Sequence, residues 1–244
     1  MEHPRDHLCF ALDVARADHA RHLVGLLAEE VGMFKVGLEF FLREGPSCIR
    51  ALKAWGAKRI FLDLKFFDIP RTIRGACTAA AALDVDFVSV HCEGLGVADG
   101  GRRPQGVPPR PAQLGVTLLT SISPADMAAY GYRPDLTPSD IVLMRAELAR
   151  AAGCAGVVCA AGEAGRIRQR YGPGFVIVTP GIRPGWARVE GDDQQRVCSP
   201  YQAIEQGADY IVVGRPIRDA ADPAQAAAMI SEEIGQALRD TGRA

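Results

Sequence analysis

Three ionisable residues stand inside one short apolar stretch, FLDLKFFDIP, Phe61 to Pro70: Asp63, Lys65 and Asp68. A charge carried into an apolar strand is costly unless it is paired and hydrogen-bonded. These residue types suit acid–base and electrostatic chemistry. An ammonium can stabilise developing negative charge and give up a proton, and carboxylates beside it keep it charged and aimed. Asp63 and Lys65 are two apart, so a regular pleat puts them on one face, with Leu62 and Leu64 opposite. Asp68 falls in the turn before Pro70. The plainer reading is an ion-pair cluster that plugs a core. Lys35, in a neighbouring apolar run, weighs against it, because alternating buried charges make a costly plug.

A second group of residues suits anion binding. TPGIRPG, Thr179 to Gly185, and VVGRPI, Val212 to Ile217, each end an apolar run in a Gly-Arg turn. Gly181 and Gly214 let a backbone approach a ligand and offer N–H donors. Arg183 and Arg215 can grip phosphate oxygens bidentately. Either turn alone could be a surface feature. As the last two strand ends of a parallel barrel, they would sit where such folds hold phosphate.

The elements that must position these groups are readable. Short aliphatic runs begin at Leu8, Phe34, Arg59, Asp86, Gly115, Gly156, Phe175 and Tyr210. They are nearly continuous in hydrophobicity, as parallel strands covered on both faces should be. Between them lie helical segments, the first within Ala17 to Val31. SPAD at Ser123, TPSD at Thr137, SPYQ at Ser199 and DPAQ at Asp222 read as helix starts: an N-cap oxygen, Pro at the first helical position, then an acceptor. Gly56, Gly153 and Gly207 read as helix stops just before strands. Eight strand–helix phrases predict one (β/α)8 TIM barrel spanning residues 1–244. An open doubly wound sheet is the rival. It calls for a Gly-rich first turn, and DVARAD after the first strand has none.

One segment breaks the phrase. GLGVADGGRRPQGVPPRPAQ, residues 94–113, stands where the fourth helix belongs, and its Gly and Pro content predicts a loop with at most a helical turn. Its Arg102, Arg103 and Arg110 read as solvating charges. His91, at a strand end, reads as a hydrogen-bonded structural residue.

Composition narrows the classes. A formal net charge of -1 gives no sign of a nucleic-acid or membrane surface. No apolar run reaches the roughly 20 residues of a membrane helix. MEHPRDHLCF has no apolar signal region, and the seven cysteines include no CxxC pair. The expectation is a cytoplasmic protein with reduced, semi-buried thiols and neither a disulfide framework nor a zinc site.

DLKFFDIP with Thr72, KVG at Lys35, LTS at Leu119, GIRP at Gly181 and GRPI at Gly214 occur in an order that resembles the orotidine 5′-phosphate decarboxylase family, from Asp13 to Ile217. The DxKxxDIP element is the specific one; the others support it. The resemblance implies a (β/α)8 homodimer that converts orotidine 5′-monophosphate to UMP and CO2 in de novo pyrimidine biosynthesis, with no metal or organic cofactor. It implies that Lys65 is the catalytic lysine and that Lys35, Asp63 and Asp68 complete a charged tetrad. Asp68 and Thr72 would serve the partner subunit's site, and Ile69 of the same element would contact substrate. Asp13 and Lys35 would hold ribose hydroxyls, and Thr120 and Ser121 would lie near the base. Arg183, Gly214 and Arg215 would bind phosphate, with Gln194 closing over it.

Three departures stand out. Arg71 replaces the usual Asn after DIP, HCEGLG replaces HAxGG after the fourth strand, and the Pro/Gly/Arg loop replaces the fourth helix. None removes a catalytic residue. Two other readings are a Mg²⁺-dependent sugar-phosphate barrel such as 3-hexulose-6-phosphate synthase, and a non-catalytic nucleotide-binding barrel. The former resembles this chain in its DxK strand but needs an acidic metal ligand in the second strand, where Lys35 stands and would repel the ion.

Overall fold

The computed structural model describes residues 3–95, 110–187 and 196–243. Eight parallel strands close into a barrel in sequence order: β1 (Leu8–Ala11), β2 (Met33–Gly37), β3 (Ile60–Phe66), β4 (Phe87–His91), β5 (Ala112–Val116), β6 (Gly156–Val158), β7 (Val176–Thr179) and β8 (Tyr210–Val213). β8 pairs back onto β1, so no edge is left open. The helices are α1 (Ala17–Leu27), α2 (Leu38–Glu44), α3 (Ser47–Ala54), α4 (Pro70–Ala81), α5 (Pro124–Ala129), α6 (Pro138–Ala151), α7 (Ala161–Tyr171), α8 (Pro200–Glu205), α9 (Arg215–Arg218) and α10 (Pro223–Asp240).

The expected helix starts are all present. Ser123, Thr137 and Ser199 each form a reciprocal capping box with the residue three positions on, and the Asp222 side chain accepts the Gln225 N–H at 3.0 Å. Gly56, Gly153 and Gly207 all hold positive φ between a helix and the next strand.

Alternation along the strands sorts the side chains into two layers. Leu8, Phe10, Phe34, Val36, Ile60 and Leu62 belong to the large core beneath the helices. Cys9, Ala11, Met33, Phe61, Phe87, Leu114, Val178 and Val212 form a separate cluster, the barrel interior. Phe61 meets Phe87 edge-on at 6.2 Å, and the Arg59 guanidinium lies 5.1 Å from the Tyr210 ring. This packed interior leaves the charged residues at the opposite, C-terminal mouth.

β6 shows how little room the barrel leaves. A Cβ on Gly156 would lie 2.0 Å from the Val176 carbonyl oxygen of β7. Gly156→Ala must therefore push two paired strands apart. We expect a loss of about 3 kcal/mol or more, read as a fall in the urea midpoint.

Two expectations need correction. The fifth strand begins at Ala112, not Gly115, because the Ala112 N–H bonds the Asp86 carbonyl at 2.8 Å and Phe87 to His91 then pair with Ala112 to Val116. The apolar run through Leu119 continues past the strand as cavity lining. The atypical loop is accordingly shorter than residues 94–113. Its first residues end a 3-10 turn, Cys92–Leu95, and its last two belong to β5. Gly94, within that turn, packs so closely against α4 that a Cβ would meet Ile73 Cδ1 at 2.6 Å. Residues 96–109, including Arg102 and Arg103, lie outside the described residues. Arg110 is exposed and stands 4.0 Å from Asp86.

All seven cysteines are free thiols; six are buried and Cys198 is half-buried. No helix among the described residues is long and apolar enough to cross a membrane.

Candidate active site

A cavity of about 540 Å³ opens at the C-terminal mouth of the barrel. Asp13, Lys35, Asp63, Lys65, Thr120, Ser121, Arg183, Gly214 and Arg215 all line it, so nine of the expected residues converge from six strand ends. Asp68, Ile69 and Thr72 do not. They are exposed on the turn after β3 and the start of α4, and the Asp68 carboxylate accepts the Ile69 N–H at 2.6 Å. Gln194 lies outside the described residues.

The charges form a chain. Lys35 Nζ donates to Asp13 Oδ1 at 3.0 Å and stands 3.6 Å from Asp63 Oδ2. Lys65 Nζ donates to the same Asp63 oxygen at 2.8 Å. Gly37 makes room for the first pair, since a Cβ there would lie 2.9 Å from Asp13 Oδ1. The Lys35 and Asp63 side chains are only 10% and 9% exposed, so their pairing is what makes burial tolerable.

Backbone geometry aims Lys65. The β3–β4 register breaks between Leu62 and Phe66: Leu62 faces Val88, and Phe66 faces Val90. Inside this bulge Lys65 takes φ 48°, in the left-handed region that non-glycine residues rarely occupy. Its N–H leaves the ladder and donates to Ser89 Oγ at 2.9 Å, and that hydroxyl donates to Asp63 Oδ1 at 2.7 Å. Asp63 and Lys65 therefore meet through a bulge rather than a regular pleat. Strain of this kind concentrates at functional sites.

Ser89 was missed in reading the sequence. Its signal was available: it alternates with Phe87 and His91 in an otherwise apolar strand, so it had to face the interior. Arg218 was missed too. It lines the cavity and donates to the Asp13 carbonyl at 2.8 Å. His91 is outside the cavity lining, and its ring lies 5.5 Å from that of Phe67, tilted by 60°; burial pulls its imidazole below the ordinary value.

Electrostatics fix the charge states. Burial would raise the Asp63 carboxyl, but Lys35, Lys65 and the hydrogen bonds from Lys65 and Ser89 outweigh it and hold the group below 3.8. Burial likewise opposes the Lys35 ammonium, and Asp63 and Asp13 outweigh that, holding it above 10.5. Burial pushes the nearby Cys9 thiol up to about 12, so it stays neutral.

The sign of the linkage follows. The lowered carboxyl contributes stability above its unfolded value, lost as pH falls through 3.8 toward the folded value. The raised lysine contributes stability below 10.5, lost as pH rises through its folded value. The difference in melting temperature between wild type and Asp63→Asn should be constant from about pH 5 to about pH 9 and should shrink in stronger acid. A difference that varies through neutrality would contradict these assignments.

Residues 6–230 match the family described as Orotidine 5'-phosphate decarboxylase / HUMPS. The chain belongs to this family. Among its relatives, orotidine 5'-phosphate decarboxylase of Desulfosudis oleivorans is 48% identical, with 97% of this chain and 96% of the relative aligned. That of Pelobacter propionicus is 42% identical, over 94% and 95%. The crystal structure of orotidine 5'-phosphate decarboxylase from Lactobacillus acidophilus superposes with a TM-score of 0.74 at 33% identity, covering 93% of this chain and 98% of that one. The family match thus takes in every strand and every cavity residue named above.

Proposed function

We propose that the chain decarboxylates orotidine 5′-monophosphate to UMP and CO2, the closing step of de novo UMP synthesis. The observation that carries this reading is the unbroken charge chain Asp13–Lys35–Asp63–Lys65 in a cavity that Arg183 and Arg215 also line. Relatives at 42–48% identity bear the decarboxylase name.

The chemistry suits these groups. When the C6–carboxylate bond breaks, the electron pair stays on C6, which has no adjacent electron sink. The Lys65 ammonium stabilises that charge and then delivers its proton to C6; the neutral amine is reprotonated from solvent. Asp63 aims the ammonium through a 2.8 Å hydrogen bond. Arg183, Arg215 and the Gly214 backbone take the phosphate, whose binding energy can be used to position the distant reacting carbon. Asp13 and Lys35 hold ribose hydroxyls, and Thr120 and Ser121 face the base. No step calls for a metal or organic cofactor. The Lys35 ammonium sits where a divalent ion in a sugar-phosphate barrel would need an acid, which disfavours that alternative.

The working form is a homodimer in the cytoplasm. Asp68 and Thr72 lie outside their own cavity, and Leu38, Leu42, Phe67 and Ile69 are exposed at 52%, 78%, 69% and 65% after the adjacent strands β2 and β3. A second copy covering these residues would carry Asp68 and Thr72 toward the partner's cavity and bury the apolar surface.

Purified protein should release CO2 from orotidine 5′-monophosphate, yield UMP, and do so equally after EDTA treatment. Metal-dependent aldol activity on a hexulose phosphate would favour the other branch, and UMP binding without turnover would favour a binding module. Mixing inactive Lys65→Ala and Asp68→Ala chains should restore partial activity if the sites are shared; hybrid dimers without activity would refute the sharing.

A further inference from the structure

Arg196 is not one of the residues assigned to substrate, yet it joins three strand ends around the cavity. Its Nη1 donates to Glu163 Oε1, in the first turn of α7, at 3.0 Å. Its Nη2 donates to the Leu118 and Leu119 carbonyls, beyond β5, at 3.1 and 3.2 Å. Two residues on, the Cys198 N–H donates to the Gly181 carbonyl at 3.2 Å, and the Arg183 N–H donates to the Cys198 carbonyl at 2.8 Å. One short segment therefore fastens the lip that carries Thr120 and Ser121 to the lip that carries Gly181 and Arg183. Both lips line the cavity.

The pair sits in a demanding place. Glu163 is buried, and its Oε2 and the Arg196 Nε have no hydrogen-bond partner among the described residues. A buried ion pair with an atom left over on each side is a poor way to add stability, and a hydrophobic pair of similar size would serve that end as well or better. What it supplies is geometry, because a guanidinium can fix a carboxylate and two carbonyls at once in a rigid plane.

We propose that Arg196 and Glu163 are positioning residues that hold the Leu118–Ser121 lip in register with the Gly181–Arg183 lip, and so set the span over which the cavity recognises the two ends of its ligand. This rests on the nucleotide reading above, under which one lip meets the base and the other the phosphate. Neither residue touches the reacting atoms. Their loss acts on binding: the Arg196 bonds run to Glu163 and to the Leu118 and Leu119 carbonyls, and the Lys65–Asp63 bond is separate from them.

The test compares Arg196→Ala, Arg196→Lys and Glu163→Gln with wild type. Hydrogen exchange of the Leu118–Ser121 amides should speed up in all three, while exchange within α10 stays unchanged. KM for orotidine 5′-monophosphate and the Kd for UMP should rise together by about 10-fold or more, with kcat changing far less. Arg196→Lys should not rescue, because an ammonium keeps the charge but cannot make the three fixed contacts. Folded variants with wild-type exchange at the lip, or with faster exchange but unchanged KM and Kd, would overturn the proposal. A wild-type protein that neither turns over the substrate nor binds UMP would refute the nucleotide reading instead. Exchange at the lip then decides whether the pair positions it.

Discussion

Lys65→Ala should abolish CO2 release from orotidine 5′-monophosphate, by at least about 10⁴-fold, while leaving a folded barrel that still binds UMP. The size follows from removing two functions at once. The ammonium is the group placed to stabilise a developing carbanion, and it is also the nearest proton donor held by Asp63, at 2.8 Å. UMP affinity should change little, because the proposed phosphate grip comes from Arg183 and Arg215, after β7 and β8, and not from the end of β3 that carries Lys65. Stability should change little too. The Lys65 side chain is 32% exposed, and a pair of that exposure contributes on the order of 1 kcal/mol or less. The backbone offers a second check. Lys65 sits at φ 48°, where a Cβ is strained. Lys65→Gly should therefore be more stable than Lys65→Ala by about 0.5–1 kcal/mol, though equally inactive. Retained turnover in Lys65→Ala would remove this lysine from the reaction. Equal stability of the two variants would remove the strain from the account.

Asp63→Ala should damage both stability and activity, and so differ in kind from the lysine variant. Asp63 is the anion between two ammonium groups, 3.6 Å from Lys35 and 2.8 Å from Lys65. Without it Lys35, almost fully buried, keeps Asp13 at 3.0 Å as its one carboxylate partner among the described residues, and Ser89 loses its acceptor. Breaking one side of a buried pair leaves an uncompensated charge, and the expected cost is about 3 kcal/mol. For a chain of this size that is a fall of roughly 10 °C in melting temperature. Activity should drop by about 10³-fold or more, since Lys65 loses the carboxylate that orients it. Asp63→Asn separates the two effects. With its amide oxygen toward Lys65, asparagine can still accept that bond and turn its NH2 to the Ser89 oxygen, so part of the stability should return while activity does not. Differential scanning calorimetry beside turnover assays would read both. An Asp63→Ala protein as stable as wild type would mean that the charge chain is not the buried network described above.

Much of this was readable from local pattern, because the signals were local in origin. Ser123, Thr137, Ser199 and Asp222 announce helices through contacts that span three residues, and all four caps form. Eight aliphatic runs separated by helical phrases predict a closed parallel barrel, and the barrel then dictates that strand ends share one mouth. Hence Asp13, Lys35, Asp63 and Lys65 could be grouped with Thr120, Arg183 and Arg215 although more than 200 positions separate the first from the last. Where a strand's pairing partner decides its limits, local pattern failed. β5 starts at Ala112 because Asp86 and Phe87 capture it there, and nothing in the stretch AQLGV itself reports a neighbour's register.

The order of residues thus settles which chemistry this chain can attempt: two Gly-Arg turns for an anion, and a DxK strand for an ammonium between carboxylates. Residue types and their spacing along one strand suffice for that. The tertiary structure decides how those groups meet. The bulge that turns Lys65 into the left-handed region, the Ser89 hydroxyl that holds both Lys65 and Asp63, and the Arg196 side chain that ties two lips together all depend on contacts between distant segments. The physical reason is one of range. Caps, turns and pleats are set within a few residues, whereas the aim of a buried charge is set by whatever the closed barrel brings beside it.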